Sequence, residues 1–183
     1  MKGLIFTEFL EMVEAKFSPD MLDRLLDNAD LPSGGAYTAV GTYDHAEMIE
    51  LVTCLSRESG ISAHDLVSSF GTYLFGRFHQ TFPMYFEEVR TTFDFLRQVQ
   101  DYIHVEVHKL YPDAELPSFA HETPAPDRFV LVYHSSRPFS VLAEGLTKGC
   151  IAHFGEPIDL AVEDLSGGMG TSARFLLSKR AAA

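Results

Sequence analysis

The stretch YHSSRP, residues 133–138, closes the apolar run RFVLV and gathers three hydrogen-bond donors. Along an extended strand alternate residues share a face. Tyr133 and Ser135 therefore project together beside Phe129 and Leu131, and Arg137 follows at the strand's exit. A phenol, a hydroxyl and a guanidinium at the edge of an apolar surface suit an anion carried on a greasy body, because arginine can pair a carboxylate through two parallel bonds. A second group with chemistry in it is YIHVEVHKLYP, in which His104 and His108 lie four residues apart. On a helix that spacing puts two imidazoles on one face, as for two zinc ligands.

The elements that must position these groups follow from periodicity and punctuation. Phe6, Phe9, Leu10, Val13 and Phe17 recur at helical spacing and stop at Ser18-Pro19. Ser18 then caps a second helix with Pro19 at its first position, burying Met21, Leu22, Leu25 and Leu26. NADLPSGGAYTAVGTY reads as loop. Asp44 with Glu47 opens a third helix with the stripe Met48, Leu51, Val52 and Leu55, and Ser62 with Asp65 forms a capping box for a fourth that buries Leu66, Phe70, Leu74 and Phe78. Further helix runs from about Thr91 to Leu110, since the 18 residues from Phe93 to Leu110 contain no Gly or Pro and Pro112 supplies the stop. Its apolar stripe is Leu96, Val99, Ile103, Val107 and Leu110.

After Pro112 the texture changes. RFVLVYHS, PIDLAVE and SARFLLS are β-type runs, with SGGMG as a turn between the last two. Between them Phe139, Leu142, Leu146 and Cys150 keep helical spacing up to Gly155. The fold expected is α+β: a helical N-terminal lobe packed on a C-terminal lobe with helices and a small antiparallel sheet.

Composition removes several functions. With 183 residues, 46% of them apolar, the chain is expected to form a single domain with a substantial core. A formal net charge of −12 argues against nucleic acid and against an anionic membrane surface. Glu8, Glu11 and Glu14 interrupt the apolar start, so it is not a signal peptide, and no run approaches a membrane span. A soluble, cytoplasmic protein is expected. Cys54 and Cys150 form no CxxC pair or Cys/His cluster, which argues against a zinc ribbon or a disulfide framework.

His45, His64, His79, His121 and His153 have no partner at ligand spacing and read as surface residues. For His104 three readings stand. It belongs to a zinc site with His108, as in a zinc-dependent hydrolase, although no HExxH and no third ligand are present; or both imidazoles are solvated; or it is a single axial ligand to haem iron. The last reading joins the two groups, because haem is an apolar disc bearing two propionates, for which Tyr133, Ser135 and Arg137 are suitable donors. Without CxxCH such a haem is held non-covalently.

In these residues the sequence resembles the bacterial H-NOX family, haem-nitric oxide/oxygen-binding proteins related to the haem domain of soluble guanylate cyclase. The resemblance runs through MKGLIFTEFLEMVE, FGTYLF, YIHVEVHKLYPDAELP and YHSSR, over essentially the whole chain. It implies haem b between the lobes, approximately 1–60 (distal) and 61–183 (proximal, with the sheet). His104 becomes the proximal iron ligand, Tyr133, Ser135 and Arg137 the propionate partners, and Pro117 the residue that presses on and distorts the haem. The cysteines that hold zinc in some relatives are missing, so no zinc is expected, and His108 receives no role.

The same resemblance assigns Ile5, Phe9, Leu74 and Leu142 to the distal pocket, where oxygen-binding relatives carry a tyrosine at the position of Leu142. Oxygen gains from a hydrogen-bond donor far more than nitric oxide or carbon monoxide does. A donor to a charged group is worth ~1.5–3 kcal/mol, so an apolar pocket disfavours oxygen. Tyr73 is the nearest alternative donor. The implied function is a stand-alone, non-enzymatic gas sensor for nitric oxide, also binding carbon monoxide. On this reading nitric oxide frees His104 and its helix, and a separate histidine kinase, diguanylate cyclase or phosphodiesterase responds. A haem storage or transfer protein is the alternative from another class.

Overall fold

Side-chain caps start three of the four α-helices in the first half of the chain. The computed structural model describes residues 1–180. Helix α1 spans Gly3–Lys16, and α2, Pro19–Asn28, begins where the Ser18 hydroxyl accepts a hydrogen bond from the Met21 N–H at 3.1 Å. Asp44 caps α3, His45–Ser59, and that helix ends at Gly60, whose φ of 71° closes the last turn in the left-handed region. Ser62 caps α4, Ala63–Thr81, by accepting from the Asp65 N–H, while its own hydroxyl donates to the Asp65 carboxylate at 2.7 Å. A 3₁₀ turn follows at Pro83–Tyr85.

The expected long helix after Thr91 is present but is not regular. Helix α5, Thr92–Gln98, passes into a π-helical turn, Val99–Ile103, and continues as α6, His104–Leu110. The His104 N–H reaches back to the Val99 carbonyl, five residues away, so one extra residue is absorbed just before the imidazole. The insertion lets the two halves face different neighbours. In α5, Phe93, Phe95 and Leu96 are buried, whereas Val105 and Leu110 of α6 are exposed.

The C-terminal sheet has four antiparallel strands in the order β1-β2-β4-β3: β1 Ser118–Ala125, β2 Arg128–His134, β3 Ile158–Asp164 and β4 Ser172–Lys179. Strand β1 was not expected from sequence. It holds Pro124 and is mostly exposed, which suits an edge paired only with β2. Helix α7, Ser140–Phe154, follows β2 and ends at Gly155 in the left-handed region. Phe129, Leu131 and Tyr133 of β2, with Phe175 and Leu177 of β4, form the buried face of the sheet.

Two apolar clusters result. One holds Phe6, Phe9, Leu25, Leu51, Leu55 and Phe70 of the N-terminal helices; the other joins the sheet to α5 and α7. Helix α4 serves both, because Leu74 belongs to the first and its neighbour Phe75 to the second. Helices α4 and α7 touch backbone to backbone: a β-carbon at Gly145 would stand 2.2 Å from the Ser68 carbonyl oxygen. The fold is α+β, as the sequence implies.

Candidate functional site

Between the two clusters lies an apolar cavity of about 320 Å³. Its walls come from elements far apart in sequence. Ile5 arrives on α1, Leu74 on α4, His104 and Val107 on α6, Leu131 and Tyr133 on β2, and Leu142 and Leu146 on α7. The mouth carries Met1, Lys2, Glu115, Ser135 and Arg137. The cavity size and the few convergent polar groups are those of a site for a compact, mostly apolar ligand.

His104 is the one imidazole on this wall. Burial holds its pKa down at about 4 from 6.5, the charge of His108 adds to the depression, and the backbone of Pro117 pulls weakly the other way. The ring is therefore neutral near pH 7 and has a free lone pair. Its Nδ1 is buried without a hydrogen bond of good geometry, the Pro117 backbone lying close enough to act on the ring only weakly, and a buried polar atom left so is costly. His108 is exposed and does not line the cavity, so the two histidines do not converge on one point. Among the described residues no group of three or more His, Cys, Asp or Glu side chains is placed to hold a metal ion.

The donors quoted from YHSSRP do come together. Tyr133 ends the buried face of β2, and burial raises its phenol pKa. Ser135 lies one residue past the strand, in the connection to α7. Its hydroxyl accepts from the Arg137 N–H at 3.0 Å, which fixes the turn, and the Tyr133 hydroxyl lies 3.5 Å from the Arg137 carbonyl. The Arg137 guanidinium, 15% exposed, pairs with the Glu115 carboxylate. A carboxylate is thus already the partner this arginine takes. Pro117 lines the cavity close to His104, at the end of the segment that connects α6 to β1.

The residues expected on the distal side divide. Ile5, Leu74 and Leu142 line the cavity and bring no hydrogen-bond donor. Phe9 does not line it. That ring is fully buried in the N-terminal cluster, edge-on to Phe70 at 5.1 Å between ring centres, so the expected distal aromatic is one layer behind the wall. The reason is position along the axis: Phe9 shares the helical face of Ile5 but sits one turn further on, where α4's Phe70 and not the opening faces it. Tyr73 also lies outside the lining, in the field of Arg77, Glu8 and Glu11 on the α1–α4 face. Sequence reasoning missed Met1, Lys2, Glu115 and Cys150 as lining residues, and no local motif marks them. His79 and His153, read as unconnected surface residues, have ring centres 4.3 Å apart against Phe86.

A non-covalent haem fits these residues on the chemistry of the donor set. A neutral imidazole with an unpartnered buried Nδ1 stands on an apolar wall, and a carboxylate-binding arginine stands at the mouth. Comparisons point the same way. A family model described as Haem-NO-binding matches residues 2–162. The fold is similar to the Fe(II) unliganded H-NOX protein from K. algicida, with a TM-score of 0.91 and 34% identity, covering 100% of this chain and 98% of that one. It is similar to the IWP-051-bound H-NOX from Shewanella woodyi in the Fe(II)CO ligation state, with a TM-score of 0.84 and 38% identity over 99% of this chain and 95% of that one. An H-NOX protein from S. oneidensis in the Fe(II)NO ligation state shares the fold at a TM-score of 0.89 and 24% identity, over 98% and 99% of the two chains. The search of curated proteins gives no match.

Proposed function

The chain belongs to the Haem-NO-binding family, and we propose that it is a haem-based gas sensor, binding nitric oxide and carbon monoxide but oxygen poorly. One observation carries the reading: the neutral, half-buried imidazole of His104, with an orphaned Nδ1, on the wall of an apolar cavity whose mouth holds Arg137. His104 would hold the iron of haem b, and Tyr133, Ser135 and Arg137 its propionates. Pro117 would press against the macrocycle. When bound, the iron supplies a coordination position for a diatomic gas. Ile5, Leu74 and Leu142 surround the distal side without a donor, and Phe9 backs that wall from the N-terminal core. A ligand that needs a hydrogen bond, as oxygen does, forgoes ~1.5–3 kcal/mol there. The Fe(II)CO and Fe(II)NO states of the two Shewanella proteins support the choice of gases.

The lobes in this reading are approximately 1–60 and 61–183, of which residues 181–183 lie outside the described residues. The output is a movement of α6, which starts at His104 immediately after the π-turn. On the outer side of the same helical run, Tyr102 and Val105 are 45% and 46% exposed, so a shift of His104 changes a surface that another protein can read. A histidine kinase, a diguanylate cyclase or a phosphodiesterase in the cytoplasm would respond, the chain itself having no catalytic role. No helix among the described residues is long and apolar enough to cross a membrane.

The test is spectroscopic. Purified protein supplied with haem should show a Soret band. His104→Gly should lose stable haem, and added imidazole should restore it by taking the vacated ligand position. Full haem content and an unchanged spectrum in His104→Gly without imidazole would remove His104 from the role. The oxygen half of the reading fails if the ferrous protein forms a stable complex in air.

A further inference from the structure

Between α6 and β1 the chain crosses the mouth of the cavity as residues 111–117. Tyr111, Ala114, Glu115, Leu116 and Pro117 line the opening. This segment is neither helix nor strand. Its internal backbone hydrogen bond is a local turn, from the Ala114 N–H to the Tyr111 carbonyl at 3.0 Å. Among the described residues, no backbone hydrogen bond joins residues 112–117 to the N-terminal helices or their loops. What holds the segment across the opening is side chains.

Those side chains come from both banks. On one bank, Lys2 donates to both carboxylate oxygens of Asp113 at 3.3 Å, and the Thr42 hydroxyl donates to the same carboxylate at 2.8 Å. The two donors are prearranged, because Lys2 and Thr42 form an isolated antiparallel bridge and Lys2 Nζ also donates to the Thr42 hydroxyl at 2.9 Å. The Lys2 ammonium further sits 5.1 Å from the centre of the Tyr111 ring. Hydrogen bonds from Thr42 and Lys2 keep the Asp113 carboxyl below its ordinary pKa. On the other bank, Arg137 holds Glu115.

The two attachments are not equivalent. Arg137 is the residue to which the haem reading assigns a propionate, so its grip on Glu115 competes with cofactor binding. Lys2 and Thr42 have no such second duty toward a carboxylate, and Asp113 itself does not line the cavity. We propose that residues 111–117 form a strap over the haem entrance and that Asp113, held by Lys2 and Thr42, is the positioning residue that keeps the strap closed. The inference rests on the haem reading given above. Its consequence is kinetic: haem enters and leaves when the Asp113 contacts break, and Pro117, the residue immediately before β1, travels with the strap.

Two measurements test it. Haem transfer from the loaded protein to excess apomyoglobin, followed in the Soret region, should be about two- to fivefold faster for Asp113→Ala than for the parent, as expected for losing an exposed ion pair. Asp113→Asn should fall between, since its amide oxygen still accepts from Thr42. The charge-swapped double variant, Lys2→Asp with Asp113→Lys, should return toward the parent rate. In the haem-free protein, hydrogen exchange of residues 111–117 should accelerate in Asp113→Ala while the amides of α4 and the sheet stay unchanged. Equal haem-loss rates in parent and Asp113→Ala would overturn the proposal, as would exchange that rises uniformly through the fold. If the parent takes up no haem, the haem reading fails, and the exchange experiment alone then decides whether Asp113 holds the strap.

Discussion

A single added methyl group should act in opposite directions at Gly145 and Gly76, although both are helical glycines. At Gly145 the new β-carbon would lie 2.2 Å from the Ser68 carbonyl oxygen and 2.9 Å from the Gly71 α-carbon, against 3.4 Å for ordinary contact. Both obstacles are backbone, so no side-chain rotation relieves them, and α4 and α7 must move apart by about 1 Å. Overpacking of this kind costs ~1–3 kcal/mol, and replacing a helical glycine by alanine returns ~0.5–1 kcal/mol of it. The net expectation for Gly145→Ala is a loss of about 1–2 kcal/mol, or about 2–8 °C in Tm for a domain of this size. At Gly76 nothing lies within 4 Å of the added carbon. There only the conformational gain remains, so Gly76→Ala should raise Tm by about 1–4 °C. Thermal unfolding of the haem-free protein followed by circular dichroism measures both. The reasoning is refuted if Gly145→Ala is as stable as the parent, because the two helices would then not be in backbone contact at this crossing.

Three other expectations follow from the site. Arg137→Lys should lose haem about tenfold faster than the parent, because an ammonium cannot reproduce the bidentate fork; haem transfer to apomyoglobin measures it, and an unchanged rate would remove Arg137 as a propionate partner. Leu142→Tyr should raise oxygen affinity about 10- to 100-fold by placing a donor on the distal wall, read from the ferrous absorption spectrum under graded oxygen. Unchanged affinity would mean that the phenol does not reach the gas. His104 has its folded pKa at about 4, below 6.5 in the unfolded chain. The unfolded state therefore binds the proton first, and stability that is full above about pH 6.5 is lost as pH falls toward 4, by about 3 kcal/mol. Urea unfolding of the haem-free protein across this range should be flatter for His104→Gln, and identical slopes would contradict the burial of this ring.

Some of this was legible in the sequence because it is written locally. The caps at Ser18, Asp44 and Ser62 and the stop at Gly155 need only their own neighbours, and the structure places helix boundaries at each. The alternation of Phe129, Leu131 and Tyr133 marks β2 for the same reason. Strand β1 escaped because it has no apolar alternation beyond Phe119 and carries Pro124; partner pairing with β2, not its own pattern, makes it a strand. The π-turn before His104 escaped because the apolar stripe is continuous on both sides of it. The extra residue appears only when α5 must face the sheet and α6 the cavity. At the site, YxSxR survives as a local motif, whereas the contacts of Lys2 with Asp113 span 111 residues and leave no trace in either segment. Phe9 was misplaced because one helical step separates the cavity wall from the core behind it.

The charges at the mouth show why composition was a poor guide to the ligand. On net charge alone, a chain at −12 repels a dianion. Yet Lys2 and Arg137 stand together at the opening with the α-ammonium of Met1, which donates to the Tyr43 carbonyl at 2.6 Å. Lys2 has Asp113 as its carboxylate and Arg137 has Glu115, so the mouth hides its cations in near-neutral pairs. For a propionate entering at Arg137, the event is then an exchange of one carboxylate for another, and such an exchange contributes little net free energy. The main driving force must come from the apolar walls, at about 25 cal/mol for each Å² withdrawn from water. On the proposed haem reading the mouth instead fixes orientation, since only a disc with its carboxylates outward would replace Glu115 while its apolar body reached His104. Affinity and orientation thus arise from different parts of the site. This is why Arg137→Lys should alter the rate of haem loss while leaving the imidazole of His104 on the same wall.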